Sequence, residues 1–137
     1  MSSLTRCSGS TYGVNDIYDD VTGLPLSILK RIDFGRYKSS DFIGTQILTL
    51  SEWVLLCKEL QMDIVIDEKI TWTTELLTET ANIVSRSGMD GHVTFTNLTP
   101  SEIATIESIL RFPKFTLLDW PTPALVTQYA PYNTRVQ

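Results

Sequence analysis

Histidine is nearly absent from this chain of 137 residues, which contains only His92, and cysteine occurs twice. A zinc site needs several Cys, His or carboxylate ligands at close spacing, and the sequence offers no such group. No serine lies in the context of a nucleophile elbow, and no glycine-rich loop precedes a predicted helix. We therefore expect no metal, no cofactor and no catalytic residue, with His92 in a surface turn. The chain is not expected to be an enzyme.

Long hydrophobic runs are also missing, since no apolar stretch approaches the roughly 20 residues that span a bilayer. The start of the chain, MSSLTRCSGS, lacks the apolar region of a signal peptide. Cys57 lies in an apolar helical pattern and Cys7 in a Ser- and Gly-rich stretch, so we expect reduced thiols. These features predict a protein that is made and kept in the cytoplasm, without a membrane partner.

Positive charge is scarce, with 11 Lys and Arg against 16 Asp and Glu and a net charge of −5. Proteins that bind nucleic acid usually cluster cations, so we do not expect a nucleic-acid partner. The one basic cluster is KRIDFGRYK, in which Asp33 interrupts the cations. Its cations are Lys30, Arg31, Arg36 and Lys38. One interpretation is a charged edge strand that resists unwanted pairing.

An acidic segment, NDIYDD, precedes this basic cluster and lacks the spacing and the glycine of a calcium-binding EF-hand loop. Its carboxylates are those of Asp16, Asp19 and Asp20. The second interpretation of the basic cluster is that it meets this acidic segment on a neighbouring copy. Head-to-tail complementarity of that kind closes rings.

Two short segments resemble each other, LTLSE at 48–52 and LTPSE at 98–102. In each, a threonine and the glutamate that follows it have the spacing of a capping box, and apolar residues continue at helical spacing. The first helix is apolar on more than one side, which predicts that it is covered on more than one side. Strands are predicted at MDIVID, GHVTFTNL and KFTLLDW. The pattern indicates two strand–helix–strand units on a common sheet.

The remaining segments are less regular. Residues 27–48 contain two β-like runs, SILKRIDFG and DFIGTQILTL. Residues 70–88 combine helical spacing with an alternation rich in threonine, and the threonines favour strands. We therefore predict a single α+β domain at 27–120, with a mixed or antiparallel sheet and two helices on one face. A split-βαβ, ferredoxin-like arrangement is one form of this prediction.

Two arms are predicted to flank the domain, at 1–26 and 121–137. The C-terminal segment holds several prolines and a single charge, yet it keeps apolar side chains that favour contact with protein. Its candidate interface residues are Leu125, Val126, Tyr129 and Tyr132.

The lack of candidate catalytic residues, the apolar C-terminal arm and the two oppositely charged segments favour a non-enzymatic assembly subunit of a homo-oligomeric complex. Its expected partners are copies of itself and other assembly proteins. A virus or phage particle component of the connector or tail type has this profile, which would place the protein in the virion. The alternatives are a small ligand-binding or regulatory domain, because paired βαβ units often carry such roles, and an enzyme that uses aspartates and His92 as acid and base.

Overall fold

The structure is a computed structural model, in which the chain divides into two compact units, Met1–Thr49 and Leu50–Gln137. Its described part comprises residues 23–36, 38–67, 71–117, 123–132 and 134–136. We refer to the two units as the N-terminal unit and the C-terminal unit, and each is treated by itself.

The described part of the N-terminal unit contains no strand, so the prediction of two β-like runs at 27–48 is wrong. Helix α1 (Leu26–Leu29) overlaps the start of the first predicted run, and a short 3-10 turn (Ser40–Phe42) overlaps the start of the second. Pro25 precedes α1, and a proline fixes φ at a value that suits the entry to a helix. The Ser39 hydroxyl accepts from the Asp41 N–H and caps the 3-10 turn.

The C-terminal unit alternates helices with short strands. The helices are α2 (Leu50–Glu59), α3 (Thr74–Ser87), α4 (Pro100–Glu107) and α5 (Pro123–Tyr129). The strands are β1 (Ile64–Ile66), β2 (Val93–Thr96), β3 (Lys114–Leu117) and β4 (Thr134–Val136). The three predicted strands correspond to β1, β2 and β3. The strand preference at 70–88 is wrong, because that segment contains α3.

The four strands form one sheet in the order β1-β2-β3-β4, and every neighbouring pair is parallel. The predicted mixed or antiparallel sheet is therefore wrong, and the class is α/β. The physical reason is that a helix connects each neighbouring pair of strands, and the helix that was not predicted, α3, returns the chain from the end of β1 to the start of β2. Right-handed connections between strands taken in chain order place their helices on one face of the sheet. In this layer α3 contacts both α2 and α4.

The core lies between the sheet and these helices. Phe95 of β2 is fully buried, and its ring centroid lies 6.3 Å from that of Phe115 on β3. On the other face of the sheet the register aligns Val65, Thr94 and Lys114, which are exposed or half-buried. The face of the sheet that meets the helices is thus apolar, whereas the other face carries polar or solvent-exposed side chains.

Local capping fixes where the helices begin and end. Thr99 and Glu102 form the predicted capping box at α4, which is confirmed, with the Thr99 N–H donating to Glu102 Oε2 at 2.7 Å. Helix α2 begins directly after Thr49, where it was predicted. Gly88 ends α3 in the left-handed region, with φ at +71°, a conformation that glycine adopts without a steric penalty.

Candidate interaction surfaces

Helix α2 carries an exposed apolar stripe. Trp53, Leu56 and Leu60 are 38%, 40% and 59% exposed, although their spacing of i, i+3 and i+7 is that of a packed helix face. The covered side of the helix contributes Val54 and Cys57 to the core. We call Trp53, Leu56 and Leu60 the α2 face. Large contiguous apolar patches on a protein surface often mark interaction sites.

Acidic side chains run along one flank of the α2 face. Glu52 and Glu59 are both exposed, and at about 100° of rotation per residue they lie on the same side of the helix. Lys58 lies on the side of the helix opposite the α2 face, where its ammonium donates to the Ser87 carbonyl at the end of α3. The flank beside the α2 face is therefore negative.

The signal for this surface was present in the sequence but was misread. The apolar residues of α2 occupy more than one side of the helix, from which we predicted cover on more than one side. In the structure Leu56 and Leu60 stay exposed. Leu55, which points away from the α2 face, lines a separate groove of about 230 Å³ together with Ile83 and Arg86 of α3.

The N-terminal unit contains a closed loop that carries positive charge, and the Asp33 carboxylate holds this loop together. The Asp33 carboxylate accepts from the backbone N–H groups of Gly35, Arg36 and Gly44 at 3.0, 3.1 and 2.9 Å. The Phe34 N–H also donates to the Thr45 carbonyl at 2.8 Å. The Asp33 carboxylate therefore holds the loop closed through hydrogen bonds to its backbone.

These hydrogen bonds stabilise the ionised form of Asp33. The Gly44 N–H is the main cause that holds the pKa of Asp33 below its ordinary value of 3.8, against a partial desolvation that raises the pKa. The N–H groups of Arg36 and Gly35 and the charge of Arg36 lower the pKa further.

We predict that the loop opens in acid. A lowered pKa in the folded state means that ionised Asp33 contributes stability above the ordinary value of 3.8, and that this contribution is lost as the pH falls through the lowered pKa. The Gly44 amide proton shift, followed by NMR against pH, should titrate with a midpoint below 3.8. Asp33→Asn should abolish that transition. A midpoint at or above 3.8 would contradict the prediction.

Cations and apolar side chains share the surface of this loop. Arg31, Arg36 and Lys38 are exposed and Lys30 is half-buried. The Lys38 ammonium lies 4.6 Å from the centroid of the Phe42 ring. The large apolar residues that are exposed in the described part of the unit are Leu26, Phe42, Ile43 and Leu48. We call Lys38, Phe42 and Ile43, with the cations Lys30, Arg31 and Arg36, the basic surface.

The other predicted interface residues are placed differently or lie outside the described part. Asp16, Asp19 and Asp20 fall outside the described residues, as do the side chains of Leu125 and Val126. Tyr129 is only 8% exposed and belongs to the core of the C-terminal unit, and Tyr132 packs against that core. The two tyrosines thus serve the interior of their own chain, where β4 also pairs with β3.

A polar cavity of about 200 Å³ lies where α3 and α4 begin. It is lined by Trp72, Thr73, Thr74, Leu77, Ser101, Glu102 and Thr105. The Trp72 indole nitrogen is buried and has no hydrogen-bond partner among the described residues. Parallel sheets bind ligands at this end, although usually where the strand order reverses, and the order of the described strands does not reverse.

His92 lies at the opposite end of the sheet, in a 3-10 turn (Asp90–His92) that leads into β2. Its Nδ1 and the Asp63 Oδ1 are 2.8 Å apart, and both side chains are exposed. The hydrogen bond from His92, followed by the charge of Lys114, lowers the pKa of Asp63. In the part of the chain that the structure describes, no three His, Cys, Asp or Glu side chains are grouped to hold a metal ion.

No helix within the described ranges combines the length and apolarity that crossing a membrane requires. Comparison of the chain with protein-family models, with curated proteins and with solved structures finds no significant match.

Proposed function

We propose that the chain is a non-enzymatic assembly subunit that binds protein through the α2 face. The observation that supports the proposal is the exposure of Trp53, Leu56 and Leu60 on one side of a helix whose other side is packed. Tryptophan is enriched among the residues that dominate binding energy in interfaces. Burial of these side chains against a partner would contribute about 25 cal/mol to the binding free energy for each Å² of apolar surface removed from water.

The proposed partners are copies of the chain itself and other assembly proteins. Connector and tail components of virus or phage particles are the kind of assembly that the composition favours, because the sequence has few candidate catalytic residues and many candidate contact residues. The burial of Tyr129 moves the proposed contact surface away from the C-terminal segment and onto α2.

We predict that Leu56→Lys weakens self-association. A lysine there places a charged group in the centre of the α2 face, where burial would require its desolvation. Size-exclusion chromatography with light scattering across a concentration series should show the wild type as an oligomer and Leu56→Lys as a smaller species, with a dissociation constant at least about tenfold higher.

Leu76→Lys is the matched control, since Leu76 is 39% exposed on α3 and Leu56 is 40% exposed on α2. The control should assemble like the wild type, and both variants should give native circular dichroism. A wild type that is monomeric at every concentration, alone and with its natural partners, would overturn the proposed function.

A small ligand-binding domain is the second candidate, and the polar cavity at the start of α3 and α4 favours it. A ligand that accepts a hydrogen bond from the Trp72 indole would satisfy a buried donor that has no partner in the described part of the chain. A thermal-shift screen with nucleotides and amino acids tests this candidate, because a ligand that binds the native state raises Tm. No rise in Tm at millimolar ligand would contradict it.

A further inference from the structure

A groove of about 320 Å³ lies where the chain leaves α2 and where it leaves α3. Its lining belongs to the C-terminal unit and comprises Lys58, Gln61, Met62, Gly88, Met89 and His92. The groove is larger than the one beside Leu55 and larger than the polar cavity where α3 and α4 begin. A volume of about 300 Å³ is the lower end of the range of small-molecule sites, so a small ligand fits here.

Gln61 lines this groove with a backbone conformation that glycine normally adopts. Its φ is +55°, in the left-handed region, and the Met62 N–H donates to the Cys57 carbonyl at 2.9 Å, which closes the end of α2. The corresponding residue at the end of α3 is Gly88, which takes this conformation without a steric penalty. The side-chain amide of Gln61 is exposed and has no hydrogen-bond partner among the described residues. The strained position thus carries a free amide.

The imidazole of His92 supplies a hydrogen-bond acceptor to the same groove. Its Nδ1 lies 2.8 Å from Asp63 Oδ1, and because an ionised carboxylate can only accept, Nδ1 carries the proton of this contact. In the neutral ring Nε2 is then an acceptor. The His92 side chain is 62% exposed, and within the described part of the chain no hydrogen bond uses Nε2. A ligand therefore meets an acceptor at His92 and an amide at Gln61 that both donates and accepts.

Two methionines form the apolar part of the groove. Met89 belongs to the core, and Met62 is 52% exposed. Thioethers make favourable contacts with aromatic rings, so a planar ring with N–H donors and ring-nitrogen acceptors at its edge matches these groups. We propose that the groove binds the base of an aminopurine such as adenine. The site needs no phosphate on the ligand, because the Lys58 ammonium already donates to the Ser87 carbonyl. The inference goes beyond the proposed function and does not depend on assembly.

An NMR titration of the full chain with adenine tests the inference. The amide signals of Gln61, Met62, Gly88 and His92 should shift saturably, with a dissociation constant on the order of 1 mM or below. Gln61→Gly is the decisive variant because its two expected effects have opposite signs. It relieves the left-handed strain and should raise the Tm of the free protein, which also shows that the variant is folded. It removes the amide and should raise the dissociation constant about three- to tenfold.

Thr105→Val is the matched control, because Thr105 lines the polar cavity at α3 and α4 instead of this groove. The control should bind adenine like the wild type. Unsubstituted purine, which lacks the amino group, should bind the wild type several-fold more weakly.

Four results would overturn the inference. They are the lack of a saturable shift in the wild type at about 10 mM adenine, unchanged adenine binding by Gln61→Gly, a lower Tm in that variant, and loss of binding in Thr105→Val. Each of them leaves the proposed assembly role standing, since light scattering tests that role by itself.

Discussion

Phe95→Ala is expected to destabilise the C-terminal unit by about 3–5 kcal/mol, the usual cost of truncating a fully buried phenylalanine. Phe95 has no exposed surface, and its ring packs against Phe115 on the neighbouring strand. The substitution removes apolar contacts and leaves a cavity between the sheet and the helices. Because native domains are stable by only about 5–15 kcal/mol, the loss is a large part of the total.

Urea denaturation followed by circular dichroism measures this effect, and Phe112→Ala is its matched control. Phe112 is 64% exposed, so the same chemical change should alter the free energy of unfolding by less than about 0.5 kcal/mol. Equal losses for the two variants would show that Phe95 does not lie in the core that the structure assigns to it.

Gly35→Ala is expected to disrupt the loop that carries the basic surface. A Cβ at Gly35 would overlap the Phe42 carbonyl oxygen, a backbone atom that cannot rotate away. The loop must therefore open, which breaks the hydrogen bonds from Gly35 and Gly44 to Asp33. We expect a loss of about 1–3 kcal/mol for the strained backbone, together with faster exchange of the Gly44 amide.

Amide hydrogen exchange measured by NMR checks this prediction, with Gly23→Ala as its control. Apart from its neighbours in the chain, no described residue comes within 4 Å of a Cβ built at Gly23, so that variant should exchange like the wild type. Unchanged protection of the Gly44 amide in Gly35→Ala would contradict the close approach of Gly35 and Phe42.

Helix α2 shows what an apolar sequence pattern can and cannot predict. Its apolar residues indicated a helix, and a helix is present, but the pattern could not distinguish a side that packs from a side that stays open. Val54 is fully buried and Leu56 is not, although both are aliphatic and lie within one turn of each other. The difference arises because only one side of α2 reaches α3 and the sheet.

The basic cluster shows the same limit at shorter range. The sequence placed Asp33 among the cations, where it would weaken a positive surface. Its hydrogen bond to the Gly44 N–H spans a loop that no local pattern indicated. The cluster was assigned to a strand, yet its imperfect alternation is explained by a turn that Asp33 and Gly35 close.

The sequence by itself determined the short-range features of this protein. The capping box at Thr99 and Glu102, the helix start after Thr49 and the positions of β1, β2 and β3 all follow from residues a few places apart. Only the tertiary structure decided the direction of the strands, the burial of Tyr129 and the exposure of the α2 face. Parallel pairing depends on where each connecting helix returns the chain, and burial depends on which distant element packs there. Neither property is encoded in the spacing of neighbouring residues.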